Sequence, residues 1–204
     1  MTDRREHWDR VYSTRAPDEV SWFQPIPDRS LRLIHAAAPV KTTPIIDIGG
    51  GVSTLTGELL RSGYTDLTVL DISSEALERA RKALGAASAT VTWSTADITH
   101  WQPPRQWMVW HDRAVFHFLT ECAQQDAYIG ALHAATAVGA TVIVSTFALD
   151  GPERCSGLPV QRYSPATLAE RLGPSFVLVD QDMEAHITPA GAAQRFSYAV
   201  FRRH

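Results

Sequence analysis

The stretch "PIIDIGGGVST", residues 44 to 54, sets a carboxylate, Asp47, just ahead of three consecutive glycines, Gly49, Gly50 and Gly51. A glycine-rich turn between a strand and a helix lets a ligand approach the backbone closely. In dinucleotide-binding turns that ligand is a pyrophosphate on the helix N-terminus, and an acid so near would repel it. Thr54 also stands where the dinucleotide fingerprint wants Gly or Ala. The combination suits instead a ligand with an ammonium group and a cationic centre but no phosphate. Asp71 ends the apolar run "DLTVLDI", about 20 residues beyond the glycines, where an acid accepts hydrogen bonds from both hydroxyls of a ribose. Asp97 ends "ATVTWSTADI", placed to accept from an adenine amino group, with Ile72 and Ile98 as apolar faces for the ring and Ala96 beside them. A lone Asp after a strand is more often a cap or turn former. Three after successive strands point together to a cofactor with the features of S-adenosyl-L-methionine.

A second set of reactive types lies in "WHDRAVFHFLT", residues 110 to 120. Asp112, or a neutral His111 or His117, is a candidate to take a proton from a methyl acceptor. Asp112 stands between Trp110 and Phe116, where partial desolvation would raise its pKa and make it a better base. Arg113 is a candidate to stabilise a thiolate, and His111 is also a candidate cofactor contact. The structural alternative has Asp112 capping the next helix and Arg113 in an ion pair. His111 and His117 are six apart, and neither HExxH nor a Cys/His cluster is present, so no metal is expected. Trp22 and Phe23 form an aromatic pair in an N-terminal loop, from which Trp22 could cover a sulfonium by a cation–π contact.

These residues need elements to hold them, and the chain supplies a strand-then-helix rhythm. Strands are expected over 44–49, 66–72, 89–98, 105–112 and 139–148, with helices over 55–63, 73–85 and 120–137 between them. Alternation of this kind implies a parallel sheet covered on both faces. After a further helix, "PATLAERLG", the runs "FVLVDQDMEAHI" and "AAQRFSYAVFRR" are joined by "TPAG" and read as an antiparallel hairpin. Residues 1–43 are expected as an N-terminal helix and lid segment laid over the sheet edge, and residues 44–204 as the core domain. The long loop over 147–165 carries Glu153, Arg154, Cys155, Arg162 and Tyr163, a candidate wall of an acceptor pocket.

Composition excludes several classes. With 204 residues, 45% hydrophobic and 20% charged, the chain suits a single domain with a sizeable core. A net charge of -3 supplies no general field for nucleic acid. Cys122 and Cys155 form no CxxC pair, and there is no membrane-length apolar run, which together fit a cytoplasmic protein. Both cysteines read as small apolar side chains, with a reactive Cys155 the alternative.

Asp47-x-Gly49-x-Gly51, Asp71-Ile72 and Asp97-Ile98 resemble successive motifs of the class I S-adenosylmethionine-dependent methyltransferases, and the resemblance covers nearly the whole chain. It implies a Rossmann-like, doubly wound α/β fold with a seven-stranded sheet of order 3-2-1-4-5-7-6, strand 7 antiparallel. It also implies methyl transfer to an N, O or S acceptor, a small molecule or a protein. The Asn/Asp-Pro-Pro-Tyr/Phe motif of enzymes that methylate exocyclic amines and glutamine amides is missing. Asp112-Arg113-Ala114 is similar to the Asp-Lys-Gly of a group of protein-lysine methyltransferases, which also carry a Trp-Asp-x-x-Tyr like that from Trp8 to Tyr12. A nicotinamide oxidoreductase, disfavoured by Asp47 and Thr54, and a non-catalytic cofactor-binding partner protein are the readings from other classes.

Overall fold

The computed structural model describes residues 4–204; residues 1–3 of the N-terminal segment lie outside it. Seven strands form one sheet: β1 (Ile45–Ile48), β2 (Leu67–Asp71), β3 (Val91–Thr95), β4 (Trp107–Arg113), β5 (Thr136–Phe147), β8 (Phe176–Ile187) and β9 (Ala193–Arg203). β6 (Arg154–Cys155) and β7 (Leu158–Pro159) make a separate small hairpin. The sheet order is β3-β2-β1-β4-β5-β9-β8, with β9 antiparallel to both neighbours. This is the topology the resemblance implies, the closing strands taking the numbers 8 and 9 because the loop hairpin precedes them.

The central strands β1 and β2 are buried along their whole length because helices cover both their faces. Side chains alternate across the sheet. Ile46, Ile48, Trp110, Val142, Val144 and Phe201 pack with Tyr128 and Leu132 of α5 (Cys122–Ala135) and Leu168 and Leu172 of α6 (Pro165–Leu172). Ile45, Val109, Ile143, Tyr198 and Val200 pack on the opposite face. There they meet Ile34 of α2 (Asp28–Ala37), Leu55 and Leu59 of α3 (Leu55–Arg61), and Leu77 of α4 (Ser74–Leu84). The same alternation decides which polar residues of β1 and β4 share a face. Asp47 pairs with His111, and His111 and Arg113 are two apart on β4, so all three belong to the α2 side. Asp112 belongs to the α5 side.

Two expectations about the N-terminal segment are corrected. Its first helix lies over the C-terminal ends of the strands, not over a sheet edge. Asp9 in α1 (Arg4–Thr14) accepts from Ser73 Oγ at 2.6 Å, and Arg4 reaches Asp97 at 3.1 Å. It also contains α2, an unanticipated second helix packed against β4. Pro25 and Pro27 read as loop punctuation, yet Pro27 serves as the N-cap from which α2 starts. Fixed φ and a missing N–H suit a helix start as well as a loop. Among the described residues no helix is long and apolar enough to cross a membrane.

Phe201 is fully buried on a strand flanked by two others. Phe201→Ala is expected to lower unfolding stability by about 3–5 kcal/mol in denaturant titrations; a loss below about 1 kcal/mol would contradict this packing.

Candidate active site

The turn after β1 is built so that only glycine fits. Gly49 has φ +67, and a Cβ there would lie 2.1 Å from Val115 Cγ2. Gly51 has φ +33, with Asp71 Oδ2 2.8 Å from where its Cβ would be. Backbone and carboxylates therefore crowd together at the C-terminal ends of β1 and β2. Below the turn, Asp47 Oδ1 bonds His111 Nδ1 at 2.7 Å, and His111 Nε2 bonds Ser30 Oγ of α2 at 2.8 Å, all three residues being buried. A carboxylate only accepts, so His111 carries its proton on Nδ1. Asp47 Oδ2 is buried and has no hydrogen-bond partner among the described residues.

The other two strand-end acids differ in setting. Asp71 is buried, which pushes its carboxyl up to about 7 against backbone hydrogen bonds from the Ser73 N–H, at 2.8 Å, and from Gly51. Asp97 is only partly buried; burial pushes it up, but bonds from the Thr99 N–H and hydroxyl, with Arg4 nearby, leave it below the usual carboxylate range.

Two cavities open at these strand ends. The first, about 830 Å³ including its open mouth, is lined on the β2–β3 side by Asp71, Ile72, Ala96, Asp97 and Ile98. On the β4 side Arg113, Ala114, Val115, Phe118, Cys155 and Phe196 line it, with Trp8 and Trp22 from the N-terminal segment. The second is lined by Asp47, Gly50, Ser30, His111 and Thr54. Tyr12, Trp22, Ile48, Gly49 and Arg113 line both, so the cavities meet at the glycine turn. The rings of Trp8, Tyr12, Trp22 and Phe118 pack edge-on or tilted at 5.0–6.2 Å over this junction.

The structure divides the four candidates from the end of β4. His111 and Arg113 line cavities; Asp112 and His117 line neither. Asp112 faces α5, where its carboxylate accepts from the Val115 and Phe116 N–H groups at 2.7 and 3.1 Å and from the Tyr128 hydroxyl at 2.6 Å. Burial pushes its carboxyl up to about 6. The desolvation anticipated from its neighbours is there, but on the side away from the cavities, and the geometry is that of the capping alternative. His117 is enclosed by Phe118 and Phe147, and burial, helped by Arg113, pushes its imidazole down to about 3. Arg113 donates from Nη1 to the Trp22 carbonyl at 2.9 Å and from Nε to the Tyr198 hydroxyl at 3.2 Å. Of the loop residues, Cys155 lines the first cavity, whereas Glu153, Arg154, Arg162 and Tyr163 line neither.

Several participants were not among the candidates. Ser30, Gln24, Glu184 and Tyr198 complete a partly buried polar group with Arg113 and His111. Glu184 accepts from Gln24 at 2.8 Å and from the Tyr198 hydroxyl at 3.1 Å. Tyr198 and Glu184 come from the strands of the closing hairpin, β9 and β8. Tyr12 was noted only within a motif, and lies against Asp71.

Residues 45–139 match the model of a family described as a methyltransferase domain. No curated protein matches the chain. Among solved structures, the N-methyltransferase NodS from Bradyrhizobium japonicum WM9, in complex with S-adenosyl-L-homocysteine, superposes with a TM-score of 0.72 at 15% identity, over 96% of this chain and 97% of that one. The 1,6-didemethyltoxoflavin-N1-methyltransferase of Burkholderia thailandensis, with 1,6-didemethyltoxoflavin and S-adenosylhomocysteine bound, gives 0.68 at 17% identity, over 98% and 83%. A protein studied for conversion of a disulfide bond into a thioacetal group during echinomycin biosynthesis gives 0.75 at 20% identity, over 98% and 92%. The sheet is that of the Rossmann-like methyltransferase fold.

Asp112→Asn leaves one carbonyl oxygen to serve three donors. The expected outcome is a stability loss of about 1–3 kcal/mol with ligand binding per folded molecule unchanged. Melting and binding measured on one preparation check this; lost binding in a variant of normal stability would return Asp112 to the site.

Proposed function

We propose that this chain, a methyltransferase domain by family match and by fold, transfers the methyl group of S-adenosyl-L-methionine to a nucleophilic N, O or S atom of a small molecule. The observation that carries the reading is the unpartnered, buried Asp47 Oδ2 on the wall of the second cavity, with Asp71 and Asp97 on the wall of the adjoining one. A buried acceptor without a donor is costly unless a ligand supplies one, and the α-ammonium of the cofactor is such a donor. Asp71 would hold the ribose hydroxyls, and Ile72, Ala96 and Ile98 would flank the adenine. Asp97 would accept from the adenine amino group once Arg4 releases it. The sulfonium would then fall where the two cavities meet, beside Gly49, with Trp22 offering its ring face.

The cofactor supplies an activated methyl carbon; the protein's part is to align the acceptor with it and keep water out. The aromatic cluster from α1 and the following loop closes the site from above. A small acceptor fits this enclosure and has support in the Burkholderia neighbour with 1,6-didemethyltoxoflavin bound. A lysine side chain as acceptor, the reading suggested by Asp112-Arg113-Ala114, loses support because Asp112 faces α5. Nicotinamide dinucleotide is disfavoured because its pyrophosphate would meet Asp47.

Calorimetry with S-adenosylhomocysteine and with NAD tests the reading: the first is expected to bind and the second not, and the reverse would end it. The carboxyl of Asp71 holds a proton below about pH 7, whereas the ribose hydroxyls donate to the carboxylate form, so binding expels that proton. Affinity for S-adenosylhomocysteine is therefore expected to fall as pH drops through 7, by up to about tenfold per unit. Asp71→Asn should bind more weakly near neutral pH and lose this dependence; an unchanged pH profile in the variant would remove Asp71 from the ribose site.

A further inference from the structure

On the β4 side of the first cavity the wall changes character. Trp8, Phe118, Phe196 and Cys155 make it apolar, and Arg113 is the cation set into it. The guanidinium is held rigidly: it bonds Tyr198 and the Trp22 carbonyl, lies 5.0 Å over the Phe196 ring, and its side chain is only 13% exposed. Yet Nη2 is buried with no hydrogen-bond partner among the described residues, Glu184 standing off at 3.9 Å. Glu184 is itself engaged by Gln24 and Tyr198. A fixed guanidinium with a spare N–H in an apolar wall is a recognition group for an anion.

Glu184 is the carboxylate nearest the guanidinium, but it lines neither cavity. Asp112 faces the other side of the sheet and His117 lies outside both cavities. The Cys155 thiol is pushed up to about 11 by burial, and Tyr12 is pushed up further by burial and by Asp71. Asp71 and Asp97 are on the β2–β3 side. The residues that line this end of the cavity therefore supply a cation and no base poised for neutral pH. An acceptor that had to lose a proton during transfer would find no side-chain base at this end of the cavity to take it.

Resting on the cofactor assignment above, we infer that the acceptor is a small apolar molecule whose attacking atom is already anionic when bound, a thiolate, phenolate, enolate or carboxylate, held by Arg113 and enclosed by Trp8, Phe118 and Phe196. A lone pair of the anionic atom forms the bond to the methyl carbon. The carbon–sulfur bond breaks, and its electron pair stays on sulfur. Anion and sulfonium become a neutral methylated product and a neutral thioether, and no proton passes to the protein. The arrangement also answers an electrostatic problem: Arg113 lines the junction where a sulfonium would sit, and an anion between the two cations attracts both.

The test is binding of matched aromatic probes to the protein loaded with S-adenosylhomocysteine, at mildly alkaline pH, by calorimetry or ligand-detected NMR. Benzoate, thiophenolate and para-nitrophenolate are paired with benzamide, thioanisole and para-nitroanisole, so the arms also tell which anion is preferred. At least one anion is expected to bind about tenfold or more tightly than its neutral partner. That margin should collapse in Arg113→Met and largely survive in Arg113→Lys, which keeps the charge. Should Arg113→Met fail to fold, Arg113→Gln carries the comparison. Neutral probes binding as well as the anions, no probe binding at all, or a preference that persists without the positive charge would overturn the inference. Failure of the wild-type protein to bind S-adenosylhomocysteine would instead overturn the cofactor reading beneath it.

Discussion

The bond between Asp47 and His111 crosses from β1 to β4 at the middle of the sheet, and much of the site follows from it. A buried carboxylate needs a donor, and removing one member of such a pair typically costs about 3–5 kcal/mol. With His111 committed to Oδ1, the ring's other nitrogen reaches Ser30 and ties α2 to the sheet. That bond anchors the N-terminal segment, so the loop before α2 can carry Trp22 to the junction of the two cavities. The same commitment leaves Oδ2, on a residue that lines the second cavity, buried with nothing to accept from among the described residues. One interaction therefore both fixes the scaffold and creates the group that calls for a cationic ligand.

The N-terminal segment touches each part of the proposed cofactor site. Arg4 bonds Asp97, Asp9 bonds the hydroxyl of Ser73 beside Asp71, and Tyr12 lies against Asp71 itself. The Arg4–Asp97 bond is partly exposed, and pairs of that kind are weak. Its replacement by a ligand amino group would cost little, whereas the buried contacts of Tyr12 and Ser30 would keep the segment in place.

The sheet was legible because its strands are short apolar runs whose glycine stops and helix caps agree, from Ser73 and Gly85 around α4 to Ser164 before α6. The strand-end acids could be placed for a related reason: a parallel strand delivers its last residue to the same edge as its neighbours'. What failed to read out was direction. Asp112 and Arg113 are adjacent, and period-2 alternation sends them to opposite faces, but only the pairing of β4 with β1 says which face holds the glycine turn. Ser30 stands 81 residues from His111, whose ring it bonds, and Glu184 stands 71 residues from Arg113, which it reaches through Tyr198. Nothing local marks such partners. Pro27 concealed α2 because a proline signals a helix start and a loop equally well.

A crystal structure of the complex with S-adenosylhomocysteine bears most directly on the account. It is predicted to show the α-ammonium at Asp47 Oδ2, both ribose hydroxyls on Asp71, and the adenine between Ile72 and Ile98 with Arg4 displaced from Asp97. A ligand seated elsewhere, or one that leaves Asp47 Oδ2 without a donor, would contradict it.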